Sequence, residues 1–256
     1  MKLAVLAAVT ALTALAQPRQ PRFEVASVKA QKWTLPATVG ITVKGGTLDA
    51  EHQPLYDLIV YSCNLKGRFQ ISGIPDWAED RGISETASFQ IQAKAAPGQN
   101  PTEDELRLMM QALLADRFHL KIHHESRNMP VYYLTIGKGG SKLRETSGGN
   151  TGIKQDKVGR VGWRLRATNV TIQSAVDGLL GIYSGRPLLN KTGLTGSYDF
   201  TLEWLLYPLP PDASVPGADL PSFPAALQEQ LGLKLKSATA PYDTIVIDRV
   251  ERPSEN

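Results

Sequence analysis

Three histidines lie close together in the chain and could in principle bind a metal ion. The spacing of His119, His123 and His124 resembles a zinc-binding arrangement if these residues lie on a helix. However, the apolar residues Phe118 and Ile122 alternate with the histidines, and this period of two predicts a strand. His119 and His123 would then be about 13 Å apart on one strand face, too far to share one ion directly. The pattern therefore favours a solvated strand face over a metal site.

The single cysteine, Cys63, could act as a nucleophile, pair with a partner thiol or fill the core. It follows Ile59 by four positions on a predicted helix, so both side chains should face inward. No sequence signature places a base beside it, and free cysteine is often buried. Packing is therefore the favoured role, and a disulfide within the chain is impossible.

Two further patterns carry chemistry in other proteins. Lys191-Thr192-Gly193 resembles one motif of the penicillin-binding proteins and β-lactamases, but no lysine here has the required serine three residues before it. Asp76, Glu79 and Asp80 lie beside Trp77, but three carboxyls in one loop do not show the two opposed carboxyls that a glycosidase needs. We interpret the first pattern as a turn and the second as a solvated loop.

The Gly-x-Ser-x-Gly elbow and the phosphate-binding Gly-x4-Gly-Lys-Ser/Thr loop are also missing from the sequence. The sequence patterns therefore identify no catalytic, cofactor-binding or metal-binding residue. The composition points in the same direction. The 256 residues are 42% hydrophobic and 21% charged, which is typical of a globular protein. The formal net charge is only +3, and Lys2 carries one of these charges. This bias is too weak to indicate nucleic-acid binding.

Residues 1–16 have the pattern of a signal peptide. Lys2 precedes an apolar run that ends in Ala14-Leu15-Ala16, a small-x-small cleavage site before Gln17. The alternative is an uncleaved anchor, but 14 helical residues span only about 21 Å, less than a bilayer core of about 30 Å. No later segment is apolar for long enough to span a membrane. We expect an exported protein, periplasmic or extracellular.

The elements that must position any site are predicted from periodicity and capping. The first half should contain strands at 23–29, 41–50 and 89–93, a helix at 54–65, and a helix opened by Thr102 with Glu105 in a capping box. Two strands, 118–124 and 131–136, should follow. The second half should contain strands at 165–168 and 198–204, helices at 171–180 and 222–232, and two closing strands, 233–236 and 244–250.

Between the halves, residues 137–162 contain eight glycines and six Lys or Arg residues without apolar periodicity, which predicts a flexible connection. The halves also align with each other. Leu48-Asp49-Ala50 matches Leu165-Arg166-Ala167, Phe89-Gln90-Ile91 matches Phe200-Thr201-Leu202, and Pro130 matches Pro241. We therefore predict an α+β fold in two tandem units (strand-helix-strand-strand-helix-strand-strand), with helices layered on mostly antiparallel sheet. The predicted boundaries are 1–16 for the signal peptide, 22–137 and 163–251 for the units, and 138–162 for the basic, glycine-rich connection.

Four stretches, at 23–29, 113–143, 185–204 and 226–256, resemble a large paralogous family of exported proteins from soil acidobacteria of the Solibacter type, a domain-of-unknown-function family. The resemblance covers nearly the whole chain after residue 16 and implies export and a fold, without an established activity. Some relatives are fused to membrane metallopeptidase sensor proteins, which implies sensing or binding. The chain departs from the family between Trp77 and Phe89 and has Gln90 where an acidic residue is expected. A weaker analogy of fold links the units to the short N-terminal modules of secretins and TonB-dependent receptors.

The leading functional hypothesis is a non-catalytic binding or sensing module of the cell envelope, with a protein, peptide or glycan as its partner and no cofactor. The alternative is a secreted hydrolase whose site is assembled from residues far apart in sequence, because catalytic groups meet in space. A self-associating structural protein of the envelope is a third reading. An open sheet edge or flat face favours binding, and a pocket with converging His, Asp or Ser groups favours the hydrolase.

Overall fold

A computed structural model describes residues 21–31, 40–78, 87–146, 148–207 and 215–253 of the chain, apart from the side chain of Leu179. The predicted signal peptide at 1–16 lies outside these residues, as do Glu79 and Asp80 of the acidic cluster. Across the described ranges, no helix has the length and apolarity needed to cross a bilayer.

The described residues form an α+β protein. The strands are β1 (Val25–Gln31), β2 (Gly40–Lys44), β3 (Thr47–Pro54), β4 (Ile71–Ser72), β5 (Ser88–Lys94), β6 (Lys121–Ile136), β7 (Arg144–Glu145), β8 (Gly152–Val158), β9 (Gly162–Thr171), β10 (Leu188–Asn190), β11 (Ser197–Leu205) and β12 (Leu233–Arg249). The helices are α1 (Leu55–Ser62), α2 (Glu103–Phe118), α3 (Ile172–Ala175), α4 (Gly181–Tyr183) and α5 (Phe223–Leu231), with a π-helical turn at Val176–Leu180 between α3 and α4.

These strands form three sheets of four strands each. The N-terminal sheet has the order β1-β5-β3-β2, and the C-terminal sheet has the order β7-β11-β9-β8. Both sheets are antiparallel throughout. The central sheet has the order β10-β6-β12-β4, in which β6 and β12 are antiparallel and each outer strand is parallel to its neighbour. In both outer sheets, the first strand in sequence lies at one edge, followed by the fourth, third and second.

The most prominent element is a long two-stranded ribbon formed by β6 and β12. Pairing runs without a break from Leu233 opposite Ile136 to Ile247 opposite Ile122. The prediction of two separate strands in each of these regions is therefore wrong. The cause is the middle of the ribbon, where Ser126, Asn128 and other exposed polar residues interrupt the apolar alternation on which the prediction relied.

At each end of the ribbon, a strand from one half of the chain contributes side chains to the hydrophobic core of the other half. The first core lies between the N-terminal sheet, α1 and α2, and it includes Ile245 and Ile247 from β12. The second core lies between the C-terminal sheet, α3 and α5, and it includes Leu134 from β6. Leu134 and Ile245 are both fully buried. Because each core contains side chains from the other half, the two halves are interlocked.

Helix α2 begins as predicted. The Thr102 hydroxyl accepts a hydrogen bond from the Glu105 amide, and the Glu105 carboxylate accepts one from the Thr102 amide. This capping box satisfies two amide groups that the first turn leaves without helical partners. The same carboxylate accepts the Thr102 hydroxyl, and these hydrogen bonds lower the pKa of Glu105. The buried face of α2, from Leu106 to Phe118, covers the N-terminal sheet.

The segment predicted to be a flexible connection contains two strands. Strand β8 pairs with β9 along its whole length, from Gly152 opposite Thr168 to Val158 opposite Gly162. Residues 138–162 therefore contain regular structure that the sequence analysis did not predict. As an edge strand, β8 needs few buried side chains, so the sequence shows little apolar alternation there.

Candidate functional site

The three histidines do not converge. His119 caps the C-terminus of α2 in the left-handed conformation, with φ of 52°, so it lies before the strand rather than on it. His123 and His124 are neighbours on β6 and project to opposite faces. The Nδ1 atom of His123 lies 2.9 Å from Asp248, and that of His124 lies 3.3 Å from Asp243. Within the described ranges, no group of three or more His, Cys, Asp or Glu side chains is placed to hold a metal ion.

The Lys191-Thr192-Gly193 sequence forms a turn after β10, as predicted. The buried Thr192 hydroxyl donates a hydrogen bond to Asn190 Oδ1 (2.8 Å) and accepts one from the Leu194 amide (3.2 Å). Gly193 has φ of 73°, a conformation that favours glycine. These contacts give the motif a local structural role. Asp76, the described member of the acidic cluster, lies in the short 3-10 helix Asp76–Ala78.

Cys63 lies at the C-cap of α1, where it is half-buried against the first core. Its amide donates to the Ile59 carbonyl, and its Sγ atom is 3.7 Å from the Ser62 hydroxyl. Burial raises the pKa of the Cys63 thiol above its ordinary value, although the Ser62 contact partly opposes this shift. The thiol is therefore protonated at neutral pH, which disfavours the reactive thiolate.

Cys63 nevertheless borders a groove of about 460 Å³ at the end of the ribbon. The groove lies between the C-terminus of α1, the middle of α2 and the start of β6, with the end of β12 on its rim. Its lining is Ser62, Cys63, Gln111, Ala112, Ala115, Leu120, Lys121, Ile122 and Asp248. A groove of this size, with an apolar base and a few polar groups, is suited to a small ligand.

A β-bulge places Asp248 at the groove. The pairing of β12 with β6 advances from Ile247 opposite Ile122 to Arg249 opposite Lys121, so Asp248 is the extra residue. Bulges redirect side chains and are frequent beside functional sites. The backbone also packs closely here, because a Cβ on Gly73 would lie 2.8 Å from the Ile247 carbonyl oxygen.

The groove carries charges of both signs. Lys121 is exposed at the start of β6, and the described part of the chain shows no ion pair to its ammonium group. Both carboxylate oxygens of Asp248 lie within hydrogen-bonding distance of His123 Nδ1, at 2.9 and 3.0 Å. About half of the Asp248 side chain is exposed. Gln111 donates to the Ser62 carbonyl at 2.8 Å, which fixes the wall between α1 and α2. A cation and an anion thus share one rim above apolar side chains.

A larger hollow of about 650 Å³ lies between Pro21 and the start of α2. Both of its charged groups are engaged, since Glu105 belongs to the capping box and Arg22 forms an ion pair with Asp116, whereas in the groove only Asp248 is engaged and the Lys121 ammonium group forms no ion pair among the described residues. The smaller groove therefore offers the better site. Sequence reasoning missed its charged residues because His123 and Asp248 are 125 positions apart, and only the strand register brings them together.

Comparison with known proteins gives one result. A family described as "Protein of unknown function (DUF3738)" matches residues 56–250, which is well over half of the chain. No curated protein and no solved structure matches significantly. The matched region runs from α1 to the end of the ribbon and so includes the second core, the groove and part of the first core. The chain belongs to the DUF3738 family of proteins of unknown function.

Proposed function

We propose that the protein is an exported, non-catalytic binding module of the cell envelope, and that the groove binds a short peptide through its charged ends. The observation that carries this proposal is the placement of Lys121 and Asp248 on the rim of one groove. A peptide carboxylate would pair with Lys121, and a peptide ammonium group would pair with Asp248. Hydrogen bonds to charged groups are stronger than those between neutral groups.

The shape and lining of the groove support a peptide of two or three residues. The volume of the groove, about 460 Å³, lies in the range typical of small-molecule sites. Leu120, Ile122 and Ala112 supply an apolar base on which small side chains could lie. A ligand without a carboxylate would leave the Lys121 ammonium group without a charged partner in the bound state, whereas a peptide with free ends offers one to Lys121 and a second to Asp248.

The alternative of a hydrolase has one observation in its favour. Cys63 and Asp248 come from distant parts of the sequence and line the same groove, and His123 contacts Asp248. However, the raised pKa of Cys63 opposes formation of the thiolate that such a reaction requires. The thiol contacts Ser62, and the Nδ1 atom of His123 contacts Asp248. These contacts favour binding over catalysis.

Export belongs to this proposal and rests on residues 1–16. When expressed with its native start, the protein should appear outside the cytoplasm with Gln17 as its first residue. N-terminal sequencing checks this, and Met1 on an exported or membrane-bound product would contradict it. The acidobacterial origin and paralogous character implied by the sequence resemblance are part of the same proposal.

We also infer that the two halves are copies of one ancestral unit. The equal strand orders of the N-terminal and C-terminal sheets support this inference. So do matching backbone irregularities, because His52 and Asn169 have φ of 49° and 50° at the ends of β3 and β9. Other family members provide the test: if equivalent positions in the two halves are no more alike than positions shifted by one residue, the inference fails.

Calorimetric titration with three tripeptides tests the proposed ligand. Tri-alanine with free ends should bind, whereas N-acetyl tri-alanine and tri-alanine amide should each bind about tenfold more weakly, since each cap removes one charged contact. In Asp248→Asn, N-acetyl tri-alanine should bind with the same affinity as tri-alanine. In Lys121→Met, tri-alanine amide should bind with the same affinity as tri-alanine. The cap that loses its effect on affinity in each variant identifies the end of the peptide that the replaced residue contacts.

Lys94→Met is the matched control, because Lys94 is exposed on β5 away from the groove. It should bind the three peptides as the unmodified protein does. The proposal is wrong if tri-alanine does not bind, or if both caps remain equally damaging in the two groove variants. Cys63→Ser should retain peptide binding, and loss of a hydrolytic activity in this variant would support the alternative.

A further inference from the structure

The opposite end of the ribbon carries a second charged surface of different character. On β12, Lys234 and Lys236 are exposed and stand on the same face, about 7 Å apart by the rise of a strand. Their partners on β6 are Thr135 and Tyr133, respectively. The ammonium group of Lys191 lies 5.7 Å from the centre of the Tyr133 ring. We call Tyr133, Lys191, Lys234 and Lys236 the lysine patch.

The backbone holds the lysine patch in place. The Lys191 amide donates to the Leu134 carbonyl at 2.9 Å, which fixes the turn after β10 against β6. The Thr135 hydroxyl donates to the Lys234 carbonyl at 3.2 Å, across the ribbon. Between these residues, Leu134 is buried in the second core. Three members of the patch therefore lie on the ribbon, and Lys191 lies in a turn whose backbone is hydrogen-bonded to it.

The lysine patch has an unbalanced charge. The ion pairs of the described residues involve none of its three lysines. The groove end of the ribbon differs, because His123 there is paired with Asp248. Neighbouring like charges on a sheet repel one another. A bound anion would remove that repulsion, so the patch is suited to a ligand with several negative charges.

We propose that the lysine patch binds a carboxylated polysaccharide. Three lysines provide point charges for carboxylates spaced along a chain, and the half-exposed Tyr133 ring offers an apolar face to the C–H groups of a sugar. Placement of the polymer outside the cytoplasm rests on the proposed export, whereas binding itself does not.

Binding of the purified protein, residues 17–256, to polygalacturonate tests this inference. The triple variant Lys191→Gln, Lys234→Gln, Lys236→Gln should bind about tenfold more weakly, as expected for three exposed charge contacts. Raising the salt from about 50 to about 300 mM should weaken binding by the unmodified protein, because exposed charges are screened. Replacing the three lysines with arginine should restore binding, and Tyr133→Ala should weaken it without reducing its salt dependence.

The matched control is Lys29→Gln, Lys44→Gln, Lys94→Gln, which makes the same change in net charge on the N-terminal sheet. These residues are exposed, so both triple variants should melt at the temperature of the unmodified protein. Equal loss of binding in the two triple variants would show that net charge alone matters and would overturn the inference. Binding of oligo-dT as tight as that of polygalacturonate would identify a nucleic-acid surface instead, and no binding to either polymer would also refute the proposal. If polygalacturonate binds residues 17–256 but N-terminal sequencing of the protein expressed with its native start finds Met1, export fails while the patch stands.

Discussion

Replacement of Leu134 by alanine tests whether the two halves fold as one unit. Leu134 belongs to β6 in the first half of the chain, but its fully buried side chain packs in the second core. Leucine-to-alanine substitutions at buried sites cost about 3 kcal/mol because they remove apolar contacts and leave a cavity. With a urea slope of about 2 to 3 kcal/mol per M for a chain of this size, the unfolding midpoint should fall by about 1 to 1.5 M.

Hydrogen exchange measured by mass spectrometry on α2 and α5 separates the two cores. Helix α2 covers the first core and α5 covers the second. If the interlocked ribbon makes unfolding cooperative, Leu134→Ala should lower the protection of both helices by the same free energy. Leu114→Ala, a fully buried site in the first core, should do the same. The interlocked account is refuted if Leu134→Ala lowers protection in α5 and leaves α2 unchanged.

Three other substitutions or reactions have defined outcomes. Gly73→Ala should destabilise the protein more than Gly193→Ala: their φ values are 76° and 73°, but only at Gly73 would the new methyl group meet a backbone oxygen, that of Ile247, at 2.8 Å. Urea midpoints measure this difference, and equal losses would contradict it. Thr102→Ala should cost about 1 kcal/mol by removing the capping box, and an unchanged thermal midpoint would contradict that value. Alkylation of Cys63 by iodoacetamide should be slower than that of a free cysteine and should accelerate only above the ordinary thiol pKa, because burial raises the pKa of this thiol. Rapid alkylation at neutral pH would contradict a raised pKa for Cys63. The raised pKa also predicts a contribution to the free energy of unfolding that is present below the ordinary thiol pKa and is lost as the pH rises through the raised pKa.

Local patterns in the sequence predicted the elements that depend on local interactions. The capping box of Thr102 and Glu105 correctly marks the start of α2, because both hydrogen bonds lie within four residues. Alternation at 89–93 and 198–204 likewise identifies β5 and β11, whose buried faces are regular. One short-range signal was missed. Gly45 and Gly46, with φ of 54° and 77°, divide the predicted strand 41–50 into the hairpin of β2 and β3.

The groove could not be predicted in this way, because it depends on strand register and on a bulge. No periodic pattern reports that Asp248 is the extra residue between Ile247 and Arg249. The ribbon was missed because exposed polar residues in its middle interrupt the apolar alternation. Pro130 and Pro241 look like strand breaks, but each lies where the outer edge of the ribbon has no paired neighbour, so its missing N–H costs no ladder hydrogen bond.

The crystal structure of residues 17–256 with bound tri-alanine would test the central claim most directly. The account predicts that the peptide lies in the groove beside Cys63 and Leu120, with its carboxylate at Lys121 Nζ and its ammonium group at the carboxylate of Asp248. Both contacts should have distances of about 2.7 to 3.0 Å, as is usual for charge-assisted hydrogen bonds. A peptide bound elsewhere, or bound in the groove with neither end near these two residues, would contradict the proposed function.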